Sequence, residues 1–500
     1  MKKITDPLFI LEMANNHMGD VEHGLLIIRK LKAATDHLKV RLAIKFQYRN
    51  LDTFIHPDFQ DRMDIKYVKR FNETRLTTLD FLRLKTEAQE CGMEAVCTGF
   101  DEASIDLIET QGFDYLKIAS CSFTDWPLLE RIAKSPLPVI ASVGGADVSE
   151  IDRVVSFFEH RGVNLSLMHC VAEYPTPDYL LNLGQIDYLH SRYPNLQIGF
   201  STHERPELLD AVKLAVAKGA VVFERHVGFP TERYPLNAYS STPSQIASWI
   251  EAAEHALSMC GDSSARAAAT DAELRELRAL RRGVFLKQSV KEGEQVTQEN
   301  VFFAIPSIEG QLSANDFSKY TQFYATADIP ANEALSASNS TCRDRREAVG
   351  AAISKIREFV RASGVPLPKK ADLEISHHFG IERFHETGAV ILNFVNRSYC
   401  KKAIVMLPGQ HHPEHSHKVK EETFFILHGS MTLNLDGIVS TLHSGDSVLV
   451  SPGQWHGFKT ETGVIFEEIS STHVAQDSYY KDPAITANTS RKTFVTYWLE

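Results

Sequence analysis

The sequence predicts an α/β protein whose first half closes into a (β/α)8 barrel and whose second half holds two smaller β-rich domains. Three observations predict it. Eight short apolar runs alternate with helical segments over the first 230 or so residues, and eight strand–helix units in about that length is the arithmetic of a closed parallel barrel. Polar and titratable residues gather just after the runs, at the edge where barrel chemistry sits. Beyond residue 280 the pattern changes to short alternating strands with glycine turns. A chain of 500 residues is too long for one core and divides into two or three domains.

The runs are 8–11, 42–46, 93–97, 115–119, 139–142, 165–168, 198–200 and 221–223, separated by helical segments such as 24–34, 79–91, 104–111 and 151–160. An open doubly wound sheet is the alternative, but no glycine-rich dinucleotide turn follows the first run. The stretch 198–228 shows the repeating unit most fully. Strand-like 198–201 and 221–224 flank a segment, 206–218, with Leu208, Leu209, Val212, Leu214 and Ala215 at helical spacing. Such a βαβ unit favours parallel strands and a right-handed crossover. Each strand delivers a histidine just past its end, His203 and His226. Two imidazoles on adjacent strand ends could share a divalent metal, although two ligands fall short of a tetrahedral site, and two unrelated loop histidines remain an open reading.

Composition narrows the function classes. With 43% hydrophobic and 23% charged residues the chain is an ordinary soluble globular one. A net charge of −11 argues against nucleic acid or an anionic membrane as partner, while local Lys and Arg remain available for an anionic substrate. Seven cysteines without a CxxC point to a reducing cytoplasm. The first apolar run is cut short by Glu12, so no signal peptide is expected, and no stretch approaches the roughly 20 residues of a membrane helix.

The run ends carry the chemistry. They hold, in order, Glu12, Asn15, Asn16 and His17; Lys45 and Gln47; Thr98 and Asp101; Lys117 and Ser120; Ser142 with Gly144 and Gly145; His169, Glu173 and Tyr174; then His203, Glu224 and His226. Loops are polar anyway, which explains any one of these. It does not explain lysines inside the apolar strings AIKFQ and YLKIAS. A lysine there is buried near the barrel mouth and needs an anionic partner. Two such lysines, a Gly-Gly turn opening a helix and several hydroxyls suit a substrate bearing carboxylate or phosphate.

The stretches LEMANNHMGD, KFQ, TGFD, KIAS, SVGG, HCVAEYPTPDYLLNL, GFSTH and FERHVG resemble, in order and at all eight strand ends, the motifs of sialic acid (N-acetylneuraminate) synthases. The resemblance covers about residues 1–260, within a barrel domain placed at 1–262. It implies a metal-dependent condensation of phosphoenolpyruvate with the open-chain aldehyde of an N-acyl amino sugar, giving a nine-carbon 2-keto acid and phosphate. By the same resemblance His203 and His226 would hold a divalent Mn or Mg. Lys45, Lys117, Ser120 and Ser142 would bind phosphoenolpyruvate, Gln47 and Tyr174 would line the sugar, and Glu12 would handle protons. Asn15, His17, Thr98, Gly144 and Glu173 complete the expected substrate contacts. The chain departs from the family at three places. Ser122 replaces a glutamate, Leu236 and Asn237 follow Pro235 in place of Asp-His, and Glu173 replaces an asparagine. Glu173 and Glu224 could stand in for the missing acid–base groups.

A small polar linker at 261–270 and a charged helix at 271–280 lead to RRGVFLKQSVKEGEQVTQENVFFAIP. This region, 276–340, resembles the antifreeze-like domain that follows the barrel in that family. There it reaches over the partner subunit's site and supplies an arginine just before a proline, where this chain has Ile305 before Pro306. A homodimer through this domain is expected; a plain stabilising appendage is the alternative. Residues 341–370, with a helix at 346–361, read as a connector.

The remainder, 371–500, reads as a small antiparallel barrel with strands such as AVILNFV, KAIVMLP, TFFILHGSMTLNL and VIFEEIS. Its string GQHHPEHSHKVKEETFFILHG matches the first cupin motif through Gly409, His415, His417, Glu422 and Gly429, and PGQWH resembles the second through His456. Three imidazoles and a carboxylate suit Mn, Fe, Zn or Ni; a solvated histidine-rich loop is the alternative. The cupin also resembles D-lyxose isomerase-like proteins through HSHKVKEE and EEISSTH…DSYYKDP…RKT. That resemblance places Lys420 as a proton-moving candidate, so the domain would bind or isomerise a sugar. The leading expectation is a nonulosonate synthase. A sugar-binding or regulatory protein, a cupin-centred sugar isomerase and an unrelated metal aldolase are the alternatives.

Overall fold

The computed structural model describes residues 6–262, 265–368, 371–473, 477–488 and 490–495. The chain divides into two compact units, Met1–Ala267 and Ala268–Glu500. Among the described residues no helix is long and apolar enough to cross a membrane.

The first unit is the expected closed parallel barrel, with strands β1 (Leu8–Glu12), β2 (Arg41–Tyr48), β3 (Glu94–Gly99), β4 (Tyr115–Ile118), β5 (Val139–Ser142), β6 (Leu165–Cys170), β7 (Gln197–Thr202) and β8 (Val222–His226) in sequential order. Strand β8 closes on β1, so Glu12 is level with Lys45 on one side and His226 on the other. Alternation along each strand separates two apolar clusters. Phe9, Leu11, Ile44, Phe46, Ala95 and Cys97 face the helices. Leu8, Ile10, Ala43, Val96, Tyr115, Ile140, Met168 and Val222 fill the barrel floor. Continuing the inward parity to the strand ends selects Glu12, Lys45, Gln47, Thr98, Lys117, Ser142, Glu224 and His226 for the mouth.

Side-chain caps set several helix starts. Asp147 and Glu150 form a capping box on Val148–His160, and Thr77 and Asp80 do the same on Thr78–Glu90. Gly199 marks a close approach: a Cβ there would lie 2.4 Å from the Val222 carbonyl on the neighbouring strand. The structure shortens the helix expected over 206–218 to Asp210–Ala217, because Arg205–Leu208 closes a turn first. His226 is the last residue of β8 rather than a residue past it. Helices Leu51–Phe54 and Lys66–Glu73, in the long loop after β2, had no counterpart in the sequence reading.

The second unit opens with helix Asp271–Ala279 and a compact β module, β9 (Gly283–Leu286), β10 (Gln295–Val296), β11 (Val301–Ala304), β12 (Thr321–Ala325) and β13 (Ser340–Asp344). β9 pairs with β11, and β10, β12 and β13 form a second small sheet. The strand expected over 284–290 ends at Leu286. After helix Arg346–Ser363 come β14 (Asp372–Ser376), β15 (Ala389–Asn396), β16 (Tyr399–Met406), β17 (His411–Ser416), β18 (Glu422–Leu435), β19 (Ile438–His443), β20 (Ser447–Val450), β21 (His456–Lys459), β22 (Val464–Ser471), β23 (Tyr479–Tyr480) and β24 (Lys492–Val495). They form one antiparallel sheet curled as a cupin, in the order β23-β17-β21-β18-β22-β16-β15-β14-β24 with β19 and β20 also on β18. The 14-residue β18 can serve both halves because its register slips between Ile426 and His428. Gly429, just past the slip, has φ +79° and room for no Cβ, which would fall 2.0 Å from the Gly463 carbonyl.

Candidate functional site

Four strands, β1, β2, β4 and β8, bring charged side chains together at the barrel mouth. Lys45 Nζ contacts Glu12 Oε2 and lies 2.9 Å from Glu224 Oε2. Lys117 Nζ donates to Ser142 Oγ at 2.6 Å and to the Ile118 carbonyl at 3.1 Å, with Glu224 Oε2 3.9 Å away. Ser201 Oγ donates to Glu224 Oε1 at 3.0 Å, and the Ala14 N–H to Glu12 Oε1 at 2.6 Å. All four charged groups are buried. The buried-lysine expectation therefore holds, with Glu12 and Glu224 as the partners it required.

Their proton affinities diverge. Burial alone depresses a lysine, yet Glu12 and Glu224 outweigh it and raise Lys45, which stays cationic. Lys117 has weaker anionic support, and burial brings it down to about 8. Burial pushes Glu12 up further than Lys45 can pull it down. Glu224 is lowered because Lys117 and Lys45 together overcome its burial. Two neighbouring carboxyls pushed in opposite directions are the arrangement from which acid–base roles are built.

Beside this cluster stand the two histidines. Their rings are 5.3 Å apart between centroids, with Tyr174 4.2 Å from His203 and Tyr239 5.2 Å from His226. His203 Nδ1 lies 2.9 Å from the Val171 carbonyl, a bond that orients the ring and leaves Nε2 for a ligand. Burial lowers both imidazoles to about 3, so both are neutral and able to coordinate. Next to them a fully buried pair, Arg225 and Glu204, joined at 2.6 Å, ties the end of β8, which carries His226, to the loop after β7, which carries His203.

The other expected contacts divide into groups. Asn15, His17 and Gln47 line a cavity of about 490 Å³ together with Arg49. Ser120 Oγ accepts the Gly144 N–H at 3.1 Å, tying two of the expected phosphoenolpyruvate residues to each other. Thr98 is buried in the mouth with its hydroxyl unpartnered among the described residues. Glu173 is exposed, and what it contributes is its backbone carbonyl, accepting from Thr176 Oγ1 at 2.7 Å. His169 turns outward and bonds the Leu181 carbonyl at 2.7 Å, as the alternation of β6 requires. Tyr239 and Arg49 escaped the sequence reading because they lie in loops without periodicity.

The cupin gathers a second site. His415 and His456 are cross-strand partners on β17 and β21, and with His417 their ligand atoms lie within 4.8 Å of one another. Among the described residues this is the one group of three or more His, Cys, Asp or Glu that does so. Glu422 adds a carboxylate, with Oε1 3.4 Å from His417 Nε2 and Oε2 3.2 Å from His456 Nε2. Glu422 Oε2 and His456 Nε2 are buried with no hydrogen bond among the described residues, as donor atoms awaiting a cation would be. The set fits the expected metal ligands.

Lys420 Nζ bridges Glu422 and Glu468, and Lys402 reaches Glu468 at 3.0 Å. Burial works against the Lys420 charge, but the flanking carboxylates raise it, so it remains an ammonium. Asp477 accepts the backbone N–H groups of Lys418, Val419 and Lys420 at 2.9–3.0 Å and so shapes the turn that carries His417. A cavity of about 580 Å³ opens on His412, His415, His417, Lys420 and Glu468. Glu468, Lys402 and His412 were missed; the register of β16 against β22 sets Lys402 opposite Glu468, and that of β17 against β21 places His412.

The sequence profile described as the NeuB family matches residues 34–265, and the profile described as a cupin domain matches 403–467. An uncharacterized protein of Methanocaldococcus jannaschii is 30% identical over 304 residues, 60% of this chain and 86% of its own. The N,N'-diacetyllegionaminic acid synthase of Legionella pneumophila is 28% identical over 316 residues, 59% of this chain and 85% of its own. The crystal structure of a Chromobacterium violaceum protein assigned to spore coat polysaccharide biosynthesis superposes with a TM-score of 0.65. It is 52% identical and covers 67% of this chain and 99% of that one.

Proposed function

Because this chain belongs to the NeuB family, we propose that its barrel condenses phosphoenolpyruvate with the open-chain aldehyde of an N-acyl amino sugar. In this reading C3 of phosphoenolpyruvate forms the new bond to the aldehyde carbon, water adds at C2, and phosphate leaves by C–O cleavage. The product is a nonulosonic acid. The observation that carries the reading is the buried Lys45–Glu12–Glu224–Lys117 cluster with Ser142 in hydrogen-bond contact with Lys117.

Lys45 and Lys117 supply the positive charge for the carboxylate and phosphate, and the hydroxyls of Ser120 and Ser142 supply neutral donors, with the Gly144 N–H holding Ser120 in place. Glu12, the carboxyl with the raised proton affinity, takes the proton-handling role, while Glu224 holds both ammonium groups in place. Gln47, Asn15 and His17 line the sugar cavity, and Tyr174 covers the histidines. His203 and His226 are neutral donors that would hold a divalent Mn or Mg, which when bound polarises the aldehyde oxygen.

The test is phosphate release from phosphoenolpyruvate by the Mn-loaded full chain. N-acetylmannosamine and a 2,4-diacetamido-trideoxyhexose serve as acceptors, with the 2-keto acid confirmed by mass. Sugar-dependent release in the wild type, lost in His203→Ala, is expected. No release with either sugar, while phosphoenolpyruvate still binds, would reject it. A pH dependence follows from Lys117. Its free-state value of about 8 means the ammonium is half present at pH 8, nearly complete about one unit below, and titrates away above. The Lys117 contribution to phosphoenolpyruvate affinity should therefore begin to decline about one unit below pH 8 and fall by up to ~10-fold per pH unit above it, measured as Kd against pH. A Kd constant to pH 9.5 would remove Lys117 from the anion site.

The cupin reading rests on a different observation, the ammonium of Lys420 set between Glu422 and Glu468 beside three imidazoles. We infer that this domain binds a sugar through a divalent Mn, Fe, Zn or Ni, with aldose–ketose isomerisation as the activity that Lys420 and Glu468 would support.

A further inference from the structure

Four buried charged side chains alternate along one wall of the cupin cavity, Glu422, Lys420, Glu468 and Lys402. Lys420 Nζ touches both Glu422 Oε1 and Glu468 Oε1, and Lys402 Nζ reaches the same Glu468 oxygen at 3.0 Å. Strand register builds the wall. β16 sets Lys402 opposite Glu468 on β22, and β18 sets Glu422 opposite Ser470, which shares the Glu468 face two residues on. Around this wall the other ions are accounted for. Lys492 is matched by Glu374 at 2.7 Å, and Lys319 and Asp372 stand exposed at the rim, one of each sign. Asp477 spends its carboxylate on the backbone N–H groups of Lys418, Val419 and Lys420. Arg491 lies over the ring of Tyr480, 5.4 Å from its centroid, and its buried Nε has no hydrogen-bond partner among the described residues.

By themselves the two ammoniums and two carboxylates of the wall cancel, as do Asp477 and Arg491 behind it. Glu422, however, is the carboxylate of the metal-ligand set, and its Oε2, like His456 Nε2, has no hydrogen bond among the described residues. A divalent cation held there brings two further positive charges, while its other ligands are imidazoles that carry none. Glu422 then serves the cation, and Lys420 and Lys402 are left to share a single oxygen of Glu468. Among buried side chains such a surplus is costly unless a ligand answers it. The cavity, about 580 Å³, has the size of a small-molecule site, and Ile391, Ile404 and Phe424 give it an apolar side opposite in character to the charged wall.

We propose that the ligand of the cupin is an anionic sugar, whose carboxylate or phosphate ester pairs with Lys402 and Lys420 while its uncharged oxygens face the imidazoles. This narrows the sugar of the cupin reading given above and rests on its metal assignment; it does not depend on condensation in the barrel. The same chemistry has three sources: a hexuronate, a hexose phosphate, or the nonulosonic acid that the barrel would make, which would place the cupin after the barrel in sequence.

The experiment follows the visible spectrum of the Co(II)-loaded full chain in a His203→Ala background, so that the ion reports the cupin alone. Mannose, mannuronate and mannose 6-phosphate give one skeleton with and without charge. N-acetylneuraminate stands for the product class of the barrel, and phosphoenolpyruvate is the anion that is not a sugar. An anionic sugar is expected to shift the spectrum with an affinity ~10-fold or more above that of mannose and of phosphoenolpyruvate, and whichever binds tightest names the source. In Lys402→Met the cobalt spectrum without sugar should be unchanged, which shows the site intact, while the preference falls to within about twofold. Lys402→Arg, which keeps the charge, should retain it. Equal affinity for mannose and the anionic sugars overturns the proposal, and this arm needs no Lys402 variant to fold. So does a preference that survives in Lys402→Met, phosphoenolpyruvate binding as tightly as the sugars, or silence from every probe at ~10 mM, which fills a site of ordinary small-molecule affinity. Failure of the His203→Ala chain to bind cobalt at all would overturn the cupin metal reading itself, and the proposal with it.

Discussion

Lys45→Met is expected to abolish condensation and to destabilise the protein by roughly 3–5 kcal/mol, the usual consequence of removing one partner from a buried ion pair. Glu224 would keep Lys117 at 3.9 Å and Ser201 at 3.0 Å. Glu12, 1% exposed, would keep only the Ala14 N–H. The deficit therefore belongs chiefly to Glu12, and a second substitution separates the two effects. Lys45→Met with Glu12→Gln should recover most of the stability in urea denaturation while condensation remains absent. The pH dependence has a definite sign. A carboxyl raised above its unfolded value destabilises the fold fully above the folded pKa, and that penalty fades as pH falls from the folded value to the unfolded one. Glu12 is raised already in the wild type, and losing Lys45 raises it further. The deficit of Lys45→Met should accordingly shrink as the pH is lowered below neutral. Equal stability of the single and double variants would show that Glu12 is not the group that Lys45 compensates.

His417→Ala is expected to remove one equivalent of bound metal from protein purified with Mn or Zn, while His203→Ala removes the other. Three ligands converging within 4.8 Å cannot lose one member and keep their affinity, because the two remaining imidazoles and Glu422 leave the cation short of a complete set. The barrel occupies the other compact unit, so phosphate release by His417→Ala should match the wild type. The contrast is sharp: His203→Ala silences condensation, whereas His417→Ala leaves it and loses any sugar chemistry of the cupin. Metal analysis by mass spectrometry reads both. Identical metal content in the wild type and the two variants would remove both sites from the metal assignment.

Much of this was legible in the chain. The buried lysines could be inferred because AIKFQ and YLKIAS put a cation where strand alternation allows no water, and a partner had to exist. The cupin candidates were legible because His415, His417 and Glu422 fall at fixed spacing within one short string, with His456 in a second. Glu224 was visible only as a polar residue near His226. Its position between two ammonium groups depends on β7, β8 and the closure of β8 on β1. Glu173, counted among the sugar contacts, lies in a loop whose backbone leaves its side chain exposed.

By itself, then, the order of residues determined the eightfold strand–helix repeat, the inward parity of each strand and the local histidine–glutamate string of the cupin. All of these depend on spacing along one strand or one turn. Tertiary structure alone decided which charges meet: Glu12 with Lys45, Lys402 with Glu468, and Arg49 with an amide and two rings instead of a carboxylate. The physical reason is that a period-two pattern specifies which face a side chain takes, whereas the identity of its neighbour follows from register between strands far apart in the chain. Partnerships that span loops, as at Arg49, have no periodic signal at all.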